Sequence, residues 1–592
     1  MNIQQKQYRL KIFLQENQYI LPSYQLYGGS SGFQDYGILG TILKTKFLQL
    51  WRSYFVNDID EVYEIETPNI MCYDILKASG HVDRFTDFIV YDDKGACYRA
   101  DHLAKKWFND NGLQNMVDQV DTWEKQKLEF NINKYKMILG PYDENYKRHL
   151  PVTVNTKNLM FEVAPVTIGQ NNKVDFLRPE IAQGIVLNYR FCQQFLQKES
   201  SFGIAQIGKS YRKEISPQPF TRMREFNQAE IEYFCDPLNK VHPRFSEIKD
   251  TIIPILTQDM QNKNIKIPLE TAVIDALKNK QINNELIAYY LAKIYNFVLQ
   301  IGLHKDKIRF RQHLSHEMAH YATECWDLET YVNNDWLECI GCADRGSYDL
   351  QSHSINLTNP LKAKRLLQTP IVHNVLKARL DMKLIGQRYK ELTSKITAYF
   401  NQLSQSDLQN LKETMFKEND AMYICIDQNI CVLTKEMIRI DEDSYTMNYE
   451  EYYPHIIEPS FGVDRIIFSI LEQNFWFRPE DNQRIVLSLP SKLVPYDVAI
   501  FQLSKNDQLQ VKTNSIINSL RQTGFKCYQD NSSVNIGKKY VRSDEIGIKY
   551  AITVDFESLK DNQMTIRDRD TMKQIRVDYD TLVEKLSLLL SK

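Results

Sequence analysis

The chain has 592 residues, a formal net charge of −2 and 43% hydrophobic residues, enough length for two or more domains with large buried cores. That charge balance gives no general polyanion-binding surface, so any nucleic-acid contact has to come from local patches. No apolar run approaches the roughly 18 residues of a membrane span, and ten cysteines without framework spacing favour a reducing compartment.

In chain order, the opening MNIQQKQYRLKIFL lacks the continuous apolar stretch of a secretory leader. A cytoplasmic protein is expected, and an additional organellar form from another start site is compatible with this reading. Four stretches, 24–103, 158–236, 307–350 and 452–471, combine regular patterning with many functional polar residues. Between them, 104–157, 237–306 and 351–451 are rich in Lys, Asn, Gln and Leu and read as helical or irregular insertions. Glu-Thr-Pro at 66–68 follows a predicted helix and strand. GIAQIGKSYRKEISPQPFTRMREFNQAEIEYF (203–234) predicts two antiparallel strands. The first ends in Tyr211-Arg212-Lys213-Glu214, and the second starts at Arg224-Glu225-Phe226 after a Pro-containing loop. The planar donors of an Arg suit bidentate contact with phosphate.

KIRFRQH (307–313) alternates and reads as a strand. CWDLETYV and DWLECIGCA flank Asn333-Asn334-Asp335 as a hairpin with its turn. Just before it, His316-Glu317-Met318-Ala319-His320 has the spacing of a zinc protease helix. The flanking strands leave little room for that helix, and the metzincin extension fails at Thr323 and Trp326, so no zinc is expected. Cys339-x-x-Cys342 lacks a second ligand pair nearby and reads as two small residues of a buried strand. LKARLDMKLIGQRYKELTSKITAYFNQL (376–403) has the three-to-four spacing of an amphipathic helix. PHIIEPSFGVDRIIFSILE (454–472) predicts a strand, then Gly462-Val463-Asp464-Arg465, then a helix. Beyond Pro479 and the polar run 480–483, strands and helices alternate: PYDVAIFQL, TNSIINSLRQTG, FKCYQD, IGKKYVRSDEIG, IKYAITVDF and TLVEKLSLLL. This predicts a compact α/β domain with a mostly parallel sheet.

Taken together, 47–70, 203–234 and 456–472 resemble motifs 1, 2 and 3 of the class II aminoacyl-tRNA synthetases. The chain further resembles the dimeric eukaryotic/archaeal-type glycyl-tRNA synthetases through YGGSSGFQDYGILG, LKASGHVDRFTDFIVYDD, YRADHL, FLRPEIAQGIVLNY, GIAQIGKSYRKEISP, REFNQAEIEYFCDP, EMAHYATECWDLE, WLECIGCADRGSYDL, EPSFGVDR and DNSSVNIGKKYVRSDEIG. The match spans most of the chain and weakens in the three insertions. It implies an α+β protein: a class II catalytic domain over 1–480 built on an antiparallel sheet with helical insertions, and an α/β anticodon-binding domain over 481–592.

The resemblance also implies the chemistry: ATP activates glycine to glycyl-adenylate, and the glycyl group then passes to the 3′ end of tRNA(Gly). Arg212, Glu214 and Arg465 are the implied catalytic residues. ATP contacts are implied for Arg212, Lys213, Glu214, Arg222, Met223, Phe226, Glu338, Cys339 and Arg465, with Glu338 as a Mg²⁺ ligand because a hard cation prefers carboxylate oxygen. Glycine contacts are implied for Arg99, Glu180, Phe226, Glu230, Glu458, Pro459 and Ser460, the three Glu surrounding the substrate ammonium. A homodimer with motif 1 at its interface, and no membrane partner, complete the expectation. Three departures stand out: Ile38 where the family has Pro, Ile181 where it has Thr, and a loop between Pro217 and Arg222 about one residue short. Loss of the Thr hydroxyl beside Glu180 is expected to loosen that carboxylate. No implied catalytic position is lost, which argues against a non-catalytic paralogue, and the three-Glu set argues against another amino acid.

Overall fold

The computed structural model of the chain describes residues 3–59, 61–92, 94–117, 119–137, 151–164, 173–318, 322–415 and 421–590. They divide into two compact units, Met1–Leu361 with Tyr453–Lys592, and Lys362–Tyr452. Among the described residues, no helix is long and apolar enough to cross a membrane.

The first unit is built on a nine-stranded sheet. Its strands are β1 (Val62–Glu64), β2 (Phe202–Tyr211), β3 (Glu225–Cys235), β4 (Ile252–Leu256), β5 (Leu269–Ala272), β6 (Ile308–Gln312), β7 (Glu324–Val332), β8 (Asp335–Gly346) and β9 (His455–Gly462). Their spatial order is β5-β4-β6-β7-β8-β9-β3-β2-β1, antiparallel except for the β2–β1 and β4–β6 pairs. The β7–β8 hairpin turns through Asn333 (φ 53°) and Asn334 (φ 66°), the left-handed pair that a two-residue turn demands and that Asn tolerates.

Side chains alternate across a strand, and this sheet uses the alternation to separate two faces. Ala229, Ile231 and Tyr233 of β3, with Ile457 and Phe461 of β9, enter the large apolar core. The helix Glu285–Gln300 lies in that core and is apolar nearly all round, with Leu286 to Ile294 buried without a break. Such a helix can be stable only inside a core. Asn284 caps it by accepting from the Ile287 amide at 3.0 Å. The helix Val463–Gln473 packs into the same core through Val463, Ile466, Ile467, Ile470 and Leu471. The opposite face is covered at one end by Ile185, Val186 and Tyr189, which meet Phe202, Ile204 and Phe234. Elsewhere it is polar and open.

Two insertion readings change. Residues 237–306 are not only helical or irregular: they supply the strands β4 and β5 of the central sheet as well as the buried helix. Residues 376–403 are not one helix. Leu376–Leu380 end the strand Ala363–Leu380, and the helix starts at Met382, capped by Asp381. Leu376, Ala378 and Leu380 alternate with Lys377 and Arg379, so a period of two fits there as well, and pairing with Ile438–Tyr452 selects it. That pairing makes the second unit a long two-stranded ribbon, tipped by the helices Met382–Tyr389, Thr393–Gln402 and Gln405–Thr414 and the hairpin Ala421–Ile426/Asn429–Thr434.

The C-terminal region forms a five-stranded sheet with its own apolar core. Cys527–Gln529, Val498–Gln502 and Tyr550–Val554 are parallel, as expected. Gln563–Asp568 and Gln574–Asp578 then extend the sheet antiparallel, so it is mixed rather than mostly parallel. The helix Asp507–Gln522 ends before Gly524, whose φ of 95° suits the left-handed stop.

Candidate functional site

The open face of the sheet carries a row of side chains from six adjacent strands. Directly opposed pairs run Gln206–Glu230–Ser460–Gly341–Asp327–Arg311 across β2, β3, β9, β8, β7 and β6. Glu458, Ala343 and Cys325 form the next row. Gly341 leaves a gap in the middle: a Cβ there would meet only Asp327 Oδ1, at 3.9 Å. Above this floor lies a cavity of about 500 Å³.

Most of the expected residues border it: Arg99, Glu180, Arg212, Glu214, Arg222, Met223, Phe226, Glu230, Glu338, Cys339, Glu458, Ser460 and Arg465. Two do not. Lys213 directs its ammonium towards the Phe161 ring, 5.9 Å from the centroid, and Pro459 lies on the other face of β9, between Glu458 and Ser460. Cys339 is a partial correction. Its thiol is buried on the core side, 3.2 Å from Thr330 Oγ1 and 3.5 Å from Ser469 Oγ, so its backbone is what it offers the cavity. The cause is a β-bulge: Glu329 pairs with Glu338 while Leu328 pairs with Ile340. The extra residue turns Cys339 inward and aims Glu338 at the cavity alongside Gly341 and Ala343. The same bulge lets both cysteines of the Cys-x-x-Cys pair enter the core.

At one end of the cavity, cationic groups from motifs 2 and 3 meet. Arg212 is anchored by Nε donating to Pro179 O at 3.1 Å. Its guanidinium carbon lies 5.3 Å from the Phe226 ring and 5.4 Å from the Phe85 ring. Arg465 donates from Nε to Thr221 O (2.8 Å) and from Nη1 to Glu338 O (2.9 Å), tying the motif 3 helix to the motif 2 loop and to β8. That loop is held by Phe220, which adopts φ 67° and stacks on Phe468 at 4.8 Å. Asp464 accepts from Tyr36 Oη (2.5 Å), the Asn227 amide (2.6 Å) and Asn227 Nδ2 (2.9 Å), and so fixes the strand just past Phe226. Beside Glu338, His313 Nε2 is 2.7 Å from Asp327 Oδ2. Burial opposes the imidazolium, but Asp327 holds His313 above its ordinary value.

At the other end the groups are carboxylates around one guanidinium. Arg345, 1% exposed, has Nη1 at 2.8 Å from Glu458, Nε at 2.9 Å from Asp349 and Nη2 at 3.7 Å from Glu180. Glu180 also accepts from Gln183 Nε2 at 2.9 Å and lies 3.4 Å from His81. Burial opposes its charge, but His81, Arg345 and Gln183 outweigh it and hold the carboxyl well below the usual range. Ile181 is fully buried, and the Glu180 carboxylate takes its partners from Gln183, His81 and Arg345 instead. Glu230 accepts from Ser460 Oγ at 2.6 Å and from Gln228 Nε2 at 2.7 Å. Burial, reinforced by Glu458 and Glu180, pushes it up to about 8. Arg99 closes the side of the cavity; Asp101 takes its Nε (3.0 Å) and Nη2 (2.6 Å), and Asp87 pairs with Nη1 at 3.3 Å.

Arg345, Gln183, Gln228, Glu232, His313, Asp327 and the Tyr36–Asp464 pair carry no role in the sequence reading. Parity on β8 was the available signal for Arg345, two residues beyond Ala343, which is itself two beyond Gly341. In the zinc-like segment, Glu317 bonds Arg311 at 2.5 and 2.7 Å and the Leu314 amide at 2.8 Å. Residues 315–317 are a turn, and His320 lies outside the described residues.

Comparison with known proteins agrees with this architecture. Residues 497–588 match an anticodon binding domain. Prolyl-tRNA synthetase from Giardia lamblia, solved in complex with prolyl-adenylate, superposes with a TM-score of 0.52 at 11% identity, covering 98% of this chain and 75% of that one. The enzyme from Cryptosporidium parvum, complexed with L-proline and AMP, gives 0.50 at 10%, covering 98% and 74%. At such identities the likeness is one of fold, and the fold is that of a class II aminoacyl-tRNA synthetase. Glycine–tRNA ligase 1, mitochondrial, of Saccharomyces cerevisiae is 36% identical over 98% of this chain and 90% of its own length. Glycine–tRNA ligase of Methanocaldococcus jannaschii is 38% identical over 96% of each. The chain belongs to the glycine–tRNA ligase family, enzymes that charge tRNA with glycine at the expense of ATP.

Proposed function

We propose that the cavity performs both half-reactions, with the Arg212–Arg465 end taking ATP and the Arg345 end taking glycine. A carboxylate oxygen of glycine attacks the α-phosphate and pyrophosphate leaves; a hydroxyl of the 3′-terminal ribose of tRNA then attacks the glycyl carbonyl of the adenylate, and AMP leaves. Reactions of this type need positioning and charge neutralisation more than covalent help. Arg212, wedged between two aromatic rings, is a fixed donor for the α-phosphate. Phe226 offers a face to the adenine, Glu214 and Met223 border the base, and Arg222 and Arg465 neutralise the outer phosphates. The exposed Glu338 carboxylate is only loosely paired with Arg465, at 3.6 Å, and oxygen donors of this kind suit Mg²⁺. When bound, Mg²⁺ would offset phosphate charge.

Glycine has no side chain to grip, and one methylene is worth only about 1–3 kcal/mol in an open pocket. Selection therefore requires exclusion. Glu180, Glu230 and Glu458 surround the ammonium, Ser460 and Arg345 fix two of these carboxylates, and the crowding leaves no room at Cα. Arg99 retains donors on Nη1 and Nη2 for the substrate carboxylate. The observation that carries this reading is the buried carboxylate ring at one end of a cavity whose other end is cationic. Two copies joined through motif 1, acting in the cytoplasm on tRNA(Gly) bound through residues 481–592, complete the proposal. Amino-acid-dependent ATP–pyrophosphate exchange tests it: exchange is expected with glycine and at most weakly with alanine or serine, and its absence with glycine refutes the reading.

A further inference from the structure

Glu232 sits one pleat beyond Glu230 on the cavity-facing side of β3 and is fully buried. Neither of its carboxyl oxygens has a hydrogen-bond partner, and Glu230 Oε2 has none either. Carboxyl oxygens of Glu230, Glu232 and Glu458 lie within 4.8 Å of one another. The charged groups facing Glu232 are Glu230 from its own strand, Glu458 from β9, and Arg345 and Asp349 from β8 and the helix after it. Five carboxyls, Glu180, Glu230, Glu232, Asp349 and Glu458, thus share one guanidinium, which already contacts Glu458, Asp349 and Glu180. A second cation, the substrate ammonium, still leaves a negative surplus, and neighbouring buried carboxyls resolve such a surplus by retaining protons.

We propose that Glu232 is a positioning residue of the glycine site, a carboxylic acid that keeps its proton and uses that O–H as a hydrogen-bond donor to Glu230, one of the carboxylates gripping the substrate ammonium. Its depth explains why it keeps the proton: burial acts first and the Glu458 charge second, both favouring the neutral acid. Glu230, bonded to Ser460 and Gln228, is the member that ionises when glycine enters. The single O–H of a neutral Glu232 then gives the orphaned Glu230 Oε2 a donor and braces Glu230 beside Glu458 at the spacing that an ammonium fits. The proposal rests on the assignment of Glu230 and Glu458 to that ammonium.

The test combines glycine KM from pyrophosphate exchange with the number of protons released on glycine binding, measured calorimetrically in buffers of different ionisation enthalpy. E232A is expected to raise glycine KM by about tenfold or more with a smaller change in kcat. E232Q, a neutral donor of the same shape, is expected to restore KM to within about threefold of wild type and to release the same number of protons at pH 7. If E232Q is as impaired as E232A, or releases about one proton fewer than wild type, Glu232 works as an ion and the proposal fails. Wild-type KM in E232A removes the positioning role. Because E232Q is isosteric, the proposal stays falsifiable if E232A does not fold. E230Q separates the layers: a raised KM there with failing Glu232 results overturns this proposal alone, whereas an unchanged KM overturns the site assignment and this proposal with it.

Discussion

The pH dependence of glycine binding follows from one carboxyl. Glu230, ordinarily ionised above 4.5, is pushed up to about 8 by burial and by Glu458 and Glu180. It can hold an ammonium only as a carboxylate. With that value, about one free enzyme molecule in ten has Glu230 ionised at pH 7, and about nine in ten at pH 9. The glycine KM should therefore fall about tenfold for each pH unit from 6 to 7.5 and level off above pH 8. Glycine's own ammonium remains intact over this range, so the trend belongs to the enzyme. Pyrophosphate exchange at saturating ATP, with glycine varied at half-unit pH steps, measures it. The KM for ATP serves as the internal control, because Glu230 lies at the far end of the cavity from Arg212. A glycine KM that is flat between pH 6 and 8, or that rises with pH, would refute the reasoning.

Four further outcomes follow from the same geometry. S460A removes the 2.6 Å hydrogen bond that favours the Glu230 carboxylate and should move the KM–pH curve to higher pH without changing its slope. Glu230 holds a proton in the folded chain that the unfolded chain releases near 4.5. Stability from this group therefore falls as pH rises from about 4.5 to 8, and the thermal midpoint of E230Q should gain on wild type between pH 5 and 8 in the absence of glycine. R345M leaves Glu458, Asp349 and Glu180 without their shared guanidinium; a broken buried pair costs about 3–5 kcal/mol, so the thermal midpoint should drop along with glycine-dependent exchange. His316 is exposed in a turn, and H316A should charge tRNA as wild type does; a large loss in charging, or stoichiometric zinc in the purified protein, would revive the metal reading.

Legibility in the sequence depended on whether a signal was local. The β7–β8 hairpin was readable because alternation on both sides and two Asn residues at the turn all lie within one segment. The C-terminal helices were readable for the same reason, and Gly524 marks a stop. Arg345 was not, because beyond Asp349, four residues on, its partners are Glu458 from the neighbouring strand and Glu180 from a loop off the sheet, and only the folded chain brings those two to it. Nor was the inward turn of the Cys339 thiol, since a bulge reverses parity and a strand read as regular puts Cys339 and Cys342 on opposite faces. Leu376–Leu380 satisfied both periods, and its partner strand some sixty residues later decided between them.

Strands β8 and β9 are neighbours in space, yet the whole of Lys362–Tyr452 is threaded between them in sequence. The excursion closes on itself, since Ala363 pairs with Tyr452 across the first rung of its ribbon. Its length therefore adds little to the entropy of bringing β9 home, about 0.6 kcal/mol per doubling of an open loop. The order of synthesis is another matter. On the ribosome β3 and β8 are made first and flank a vacant slot, with open strand edges on both sides. The strand that fills it, carrying Glu458 and Ser460 and leading into Arg465, emerges only after the ribbon has been translated. The nascent chain must keep two edges of its central sheet apart until then, and slow folding within 362–452 would be felt first as a catalytic sheet left open.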